Sequence, residues 1–351
     1  MKRRTFTVAT AAVAVLGLSA TTALSQELNI VSWGGSYQDA QSKAIFQPVA
    51  EKMGITVKED SYGGISDVRL QVQAGAVTID IFDTGSGGGA RGGAEGILEP
   101  LDYTMIDVSN FVPGTYQDHC VGTITFSTVF AYNTETYSDP ANAPKTWADF
   151  WDVEKFPGTR SMRSKFWGSL EPALMADGVP MDQVYKVLDS EEGIERAINK
   201  IRELKPHIAV WWKSGAQHAQ MMKDGEVDMT TGWNGRFDVA IKDGAKAAYS
   251  YDGATLDYDC FGIPKGAPNK DLAMKFLAEA SKASYQANMP QYITYGPTNR
   301  DAYDLGVIDP ETATRLPSHP DNAANQLVID NAWYAKWEQH ASQLYQDMLT
   351  E

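Results

Sequence analysis

The sequence predicts an α/β fold in about two lobes, on three observations. Strand-like apolar stretches alternate with helical patterns from residue 27 to residue 281, which points to largely parallel sheets covered by helices. The chain has 351 residues, and at about 150 residues per domain it has room for two cores. Its composition, 43% hydrophobic, 11% aromatic and 21% charged, is that of a folded globular protein rather than a disordered one.

The first segment reads as a secretory signal peptide, residues 1–25. Met1-Lys2-Arg3-Arg4 is a positive start, Thr7 to Ala23 an Ala-rich apolar run, and Ala23-Leu24-Ser25 a small-x-small cleavage site. Arg3-Arg4-Thr5-Phe6 also resembles a twin-arginine signal, although an ordinary secretory signal fits the same residues. The mature chain is expected to begin near Gln26 and to be exported. The whole chain balances 30 Lys+Arg against 45 Asp+Glu, a net charge of −15, and loss of Lys2, Arg3 and Arg4 takes it to −18. Such an acidic chain offers no basic face to nucleic acid or to anionic lipid. No later apolar run reaches the ~18 residues needed to span a membrane.

The elements follow in order. Glu27 to Trp33 is a buried strand, and after Gly34-Gly35-Ser36 the spacing of Ala40, Ala44, Ile45, Val49 and Met53 predicts a helix stopped by Gly54. Ile55 to Asp60 alternates as a strand, Val68 to Ala74 is a short helix, and Ile79 to Asp83 is a third strand. A glycine-rich turn from Thr84 leads into a helix ending by Leu98. Thr123 to Tyr132 is a long strand rich in Thr, Val, Ile and Phe. The Pro- and Asn-rich stretch Ser138 to Pro144 breaks the pattern, so a lobe boundary is placed near residue 134. Beyond it come a strand at 159–162, helices at 169–176, 181–188 and 191–203, a strand at 207–211, a helix at 214–223, and strands at 227–232 and 258–263. A helix at 271–281 follows. Asn331 to Met348 puts Trp333, Trp337, Ala341, Leu344 and Met348 on one stripe, the mark of a packing helix.

Two cysteines, Cys120 and Cys260, are an even count in an exported chain, which favours a disulfide; two buried thiols are the alternative. Two distant cysteines do not make a zinc site. The five histidines lack metal-ligand spacing, and no HExxH, P-loop or GxSxG occurs. No metal, no cofactor and no catalytic residue is therefore assigned, and the chain is read as a non-enzyme. The run Gly85 to Gly93 lacks the dinucleotide-binding spacing. It is either a tight turn or backbone offered to a ligand.

The chain is rich in aromatics, with 9 Trp and 16 Tyr. Trp33, Tyr37, Trp167, Trp211, Trp212, Trp233 and Tyr295 fall at predicted strand ends or turns, where rings line clefts and stack on alkyl chains or ammonium groups. Two charges stand out. Arg236 follows Trp233-Asn234-Gly235 after a strand and can grip a carboxylate with its fork. Asp259 enters a strand near the lobe crossing and can receive an ammonium. The plain alternative for each is a surface ion pair, contributing about 0–1 kcal/mol.

At this point the chain resembles the substrate-binding proteins of ABC importers, in the spermidine/putrescine-binding-like branch. The resemblance runs through Asn29-Ile30-Val31-Ser32-Trp33-Gly34-Gly35-Ser36-Tyr37, Glu95 to Asp102, Thr146 to Trp151 with Phe156-Pro157-Gly158, Gly225 to Asp228 with Trp233-Asn234-Gly235, Ile263 to Gly266, and Tyr295 to Asn299. It implies a two-lobe type II periplasmic binding protein, each lobe a mixed, mostly parallel sheet flanked by helices, with a hinge of crossing strands. Lobe 1 is expected at 26–134 and 260–312, and lobe 2 at 135–259 and 313–351. It implies a periplasmic monomer that delivers a small amine or zwitterion to an ABC permease in the inner membrane. By similarity, Trp33, Tyr37, Thr84, Ser86, Trp233 and Tyr295 match cleft positions; Trp167 and Trp212 are added as aromatics at strand ends or turns, and Lys165 as a cation that, with Arg163 and Arg236, suits an anionic end of the ligand.

One departure from the polyamine pattern matters. Where acids are expected for a polycation, the sequence reads Arg160-Ser161-Met162-Arg163-Ser164-Lys165, and Arg236 follows Trp233-Asn234-Gly235. A buried Arg facing a diamine repels it. Trp233-x-x-Arg236 followed by Asp259 is similar to the γ-aminobutyrate (GABA)-binding branch, in which the Arg takes the carboxylate and the Asp the ammonium. The expected ligand is GABA or a similar ω-amino acid; putrescine or spermidine, and then opines or other small amines, are the alternatives.

Overall fold

The computed structural model describes residues 26–351, so the signal-peptide assignment lies outside the described residues. Twelve strands form one mixed sheet: β1 (Glu27–Ser32), β2 (Thr56–Ser61), β3 (Ile81–Gly85), β4 (Tyr116–Gln117), β5 (Cys120–Asn133), β6 (Arg160–Arg163), β7 (Ile208–Trp212), β8 (Met229–Trp233), β9 (Ala247–Tyr249), β10 (Thr255–Gly262), β11 (Gly296–Pro297) and β12 (Leu327–Val328). The main order is β2-β1-β3-β10-β5-β8-β6-β7. Its two ends are parallel blocks, β2-β1-β3 and β8-β6-β7, each built by strand-to-helix connections. Between them β10 and β5 run antiparallel to their neighbours in that order, while the short β12 pairs with β10 in parallel. β5 has 14 residues, roughly 46 Å at 3.3 Å per residue. Its first part pairs with β10 and its last part with β8, so one strand serves both blocks.

Each block has its own core. One gathers Leu28, Ile81, Phe46, Phe261 and Phe276; the other gathers Phe150, Leu170, Ile201, Trp333 and Tyr345. The C-terminal helix Asn331–Thr350 joins the second core through Trp333, Ala341 and Met348, while Trp337 and Leu344 are only partly buried. Local signals account for most boundaries. Gly54 stops its helix in the left-handed conformation at φ 66°. Thr146 and Asp149 form a reciprocal capping box that starts Trp147–Trp151.

Three expectations need correction. The helix predicted at 68–74 begins at Ile65, directly after Gly64. The segment 181–188 divides into a 3₁₀ turn, Met181–Gln183, and a helix, Val184–Leu188. The strand expected from Tyr258 starts at Thr255, which places Asp259 in its interior.

Cys120 and Cys260 are disulfide-bonded, with Cα atoms 5.6 Å apart on the paired strands β5 and β10. Both are fully buried, and a side chain at Gly89 would meet both sulfurs. The bond closes a loop of 140 residues. Replacing both cysteines with serine is expected to lower the unfolding free energy by about 2–5 kcal/mol. A denaturant melt checks this, and an unchanged midpoint would contradict it.

Candidate functional site

The carboxyl ends of β1, β3, β6 and β8, from both parallel blocks, converge on one cavity of about 160 Å³. Open α/β sheets bind ligands beyond such strand ends. Trp33, Tyr37, Thr84, Lys165, Trp167, Trp233, Arg236, Asp259 and Tyr295, all expected from the sequence, line it.

Ser86 and Trp212, also expected there, do not line it. Ser86 is fully buried, with its hydroxyl 2.5 Å from both Asp257 Oδ1 and Asn331 Oδ1. Trp212 is buried behind Trp233, edge-on at 5.3 Å between ring centroids. Each instead contacts a lining residue: Ser86 meets Asp257, and Trp212 meets Trp233.

One end of the cavity is cationic. Arg236 is 3% exposed, in the first turn of the helix Asn234–Lys242, and its Nη2 donates to the Gly34 carbonyl at 3.2 Å. Gly215 and Gly35 make its slot: a Cβ there would come within 2.4 Å of Nε and 2.9 Å of Nη1. Arg163, at the end of β6, lies 4.9 Å over the Trp233 ring and 5.8 Å over Trp212. Its Nε has no partner, and burial pulls its pKa down to about 10, so it stays charged at pH 7. Beneath, His218 is fully buried among Trp212, Trp233 and Phe237; burial first, then Arg236 and Arg163, lower its pKa and hold it neutral. Arg91 also reaches the cavity, but Glu338 pairs with it.

The other end is anionic. Asp257 and Asp259 alternate along β10 and so share one face. Burial first, then the charge of Asp257, raises the Asp259 pKa to about 7. Burial raises Asp257 to about 6. Among the described residues, no ion pair contains Arg163, Arg236, Asp257 or Asp259. The cavity therefore holds two guanidiniums and two carboxylates outside any ion pair, the arginines acting on Asp259 only through space, an arrangement that a ligand bridging them relieves.

Aromatic rings form the wall between. Tyr37 meets Tyr295 edge-on at 5.4 Å, and Phe126 contacts Tyr295 and Trp233 at 6.1 and 6.5 Å. Trp167 stacks on Tyr334 at 4.1 Å, and Gly87 leaves room for that tryptophan, since a Cβ would lie 2.2 Å from its ring. Asp257, Phe126, Thr128 and Tyr334 were not singled out from sequence. Only Asp257 had a usable signal, its alternation with Asp259.

A cavity at the meeting of two sheet blocks, lined by charges of both signs and by aromatic rings, is a receptor site for a small polar solute. The chain belongs to the bacterial extracellular solute-binding proteins, whose family model matches residues 44–320. It is 37% identical over 330 residues to the γ-aminobutyric acid-binding protein of Pseudomonas aeruginosa PAO1, covering 93% of this chain and 91% of that one. It is similar to the crystal structure of MotA from Agrobacterium tumefaciens B6 in complex with glucopine, with 42% identity, a TM-score of 0.89, and 92% and 99% of the two chains covered. A GABA receptor of known structure is 33% identical with a TM-score of 0.81, over 92% of this chain and 97% of the other.

Proposed function

We propose that this protein captures GABA or a similar ω-amino acid in its interlobe cleft, without transforming it, and presents it to an ABC permease from the periplasm. The carrying observation is that Arg236, Arg163, Asp257 and Asp259 line one cavity and none of them is in an ion pair among the described residues. A zwitterion with charges at opposite ends neutralises both signs. A diamine leaves two guanidiniums unpaired and adds repulsion, which disfavours putrescine and spermidine. The lobes are assigned to 26–134 with 260–312 and to 135–259 with 313–351, closing about β5 and β10 as a hinge.

Size supports the reading. A cavity of about 160 Å³ is close to one of about 150 Å³ that takes benzene, six heavy atoms. GABA has seven, and at about −1.5 kcal/mol per atom its ceiling is near −10 kcal/mol. Micromolar binding needs about −8 kcal/mol, so both charged ends must be used in a dry cleft. The similarity to the glucopine complex favours an opine as the second reading.

Calorimetry on mature protein, freed of ligand by unfolding and refolding, tests this with GABA, 5-aminovalerate, putrescine, spermidine, glutamate and glucopine. GABA is expected to bind at micromolar Kd or tighter, with putrescine silent. Putrescine heat without GABA heat would overturn the reading, and glucopine heat alone would select the opine.

A further inference from the structure

Behind the anionic pole lies a third carboxylate that does not line the cavity. Asp83 is fully buried in β3. Its register partner is Phe261, and Gly85, two residues along, is the partner of Asp259. The side chains of Asp83 and Asp259 therefore share one face of the paired strands, with no side chain at Gly85 to separate them. A Cβ at Gly85 would lie 3.7 Å from Asp259 Oδ1 and 4.0 Å from Asp257 Oδ2.

The groups around Asp83 are known element by element. From β1, the Ser32 hydroxyl lies 3.2 Å from Oδ2, and from the helix Gly35–Gln41, Gln41 Nε2 donates to Oδ2 at 3.0 Å. Tyr37 of that helix neighbours both Asp83 and Asp259. After β2, the Tyr62 hydroxyl donates to the Asp83 carbonyl. From β10 come Asp259 and, beyond it, Asp257. Arg236, Arg163 and Tyr295 act on Asp259, and Glu171 and Arg163 act on Asp257. No cation is paired with Asp83 among the described residues, and its Oδ1 is buried without a hydrogen-bond partner. An ionised Asp83 would be a buried charge beside another carboxylate.

We propose that this pole binds its ligand in exchange for a proton: Asp83 and Asp259 hold one proton between them in the free protein and release it to solvent when an ammonium seats on Asp259. Asp83 acts through Asp259 as a positioning residue that sets the charge of the pole. The proposal rests on the ammonium-binding role given to Asp259 above. Burial first and then the charge of Asp259 push Asp83 well up, and burial first and then the charge of Asp257 raise Asp259 to about 7, in line with it. The sign follows. The free protein binds the proton and the complex does not, so affinity rises with pH through about 7. Below that it falls by up to about tenfold per pH unit. Asp257, raised to about 6, adds to the fall only at lower pH.

Carbon-13 NMR of the aspartate carboxyls in the ligand-free protein, from pH 4 to 9, tests the shared proton without any ligand. A carboxyl titrating above pH 6.5, absent in Asp83→Asn, is expected; titration of every carboxyl below pH 5 overturns the proposal. Calorimetry of GABA at pH 6.5 in phosphate and in imidazole, buffers with different ionisation heats, then counts protons. Release of about half to one proton is expected; equal heats overturn the exchange. Asp83→Asn is expected to bind GABA more tightly than wild type at pH 6 and with a flattened profile from pH 6 to 8. Equal weakening at every pH would mean a merely structural role and would also overturn it. GABA silence at every pH sinks the ligand reading alone, and the carboxyl titration still decides the shared proton.

Discussion

Arg236→Ala is expected to weaken GABA binding by about 2–3 kcal/mol, roughly 30- to 150-fold, with little change in unfolding midpoint. Its guanidinium has no carboxylate partner to strand among the described residues; its Nη2 donates to the Gly34 carbonyl. The loss therefore falls on the ligand. Two features single it out from Arg163. It is held in the glycine slot of Gly35 and Gly215. It also sits at the start of a helix, where backbone dipoles add to a carboxylate's binding. Arg163 instead lies over two tryptophan rings. Arg236→Lys should recover only part of the loss, because an ammonium cannot make the two parallel hydrogen bonds of a guanidinium. Calorimetry on both variants decides it. If Arg236→Ala binds within threefold of wild type, the carboxylate sits on Arg163 and the assignment of the pole is wrong.

Much of this site was legible because strand ends carry their own punctuation. Trp33 before Gly34-Gly35 and Trp233 before Asn234-Gly235 mark places where a strand gives way to a helix, and both rings line the cavity. What the sequence does not show is of two kinds. Ser86 and Trp212 stand at strand ends too, but one residue's turn in a chain reverses the direction of a side chain, and sequence does not show which way each points. Asp257 was lost to a boundary. With β10 begun at Tyr258, Asp257 belonged to a loop; begun at Thr255, the strand puts Asp257 and Asp259 on one face. Tyr334 gave no signal at all. It sits beside Trp333 on a helix whose stripe faces the core, and only the fold brings it against Trp167. The glycine run of 85–93 was read as a turn or as backbone offered to a ligand. Most of it is a helix, Ser86–Ala94, whose missing side chains admit Trp167 at Gly87 and the disulfide at Gly89.

Asp259→Asn is expected to weaken GABA binding by about 2–3 kcal/mol, or 30- to 150-fold, at pH 8, where the wild-type carboxylate is ionised. Asparagine keeps the shape and loses the charge, so the change reports the ammonium contact rather than packing. Asp257→Asn should cost less, about three- to tenfold, because Asp257 Oδ1 already lies 2.5 Å from the Ser86 hydroxyl and 2.7 Å from the Tyr258 backbone N–H. Only its other oxygen is open to a cation. The double variant should lose less than the two single losses multiplied, since one ammonium is shared by neighbouring carboxylates. Multiplicative losses would mean that the two carboxylates act independently, and no loss at Asp257 would place the ammonium on Asp259 alone. A larger loss at Asp257 than at Asp259 would reverse their roles and move the ligand's amine toward Ser86, at the mouth of the helix Ser86–Ala94. The same three variants, titrated with putrescine, carry the contrast further. If the pole accepts any ammonium but the far guanidiniums reject a second one, removing Asp259 changes nothing for putrescine, whereas Arg236→Ala is the variant in which weak putrescine binding should first appear.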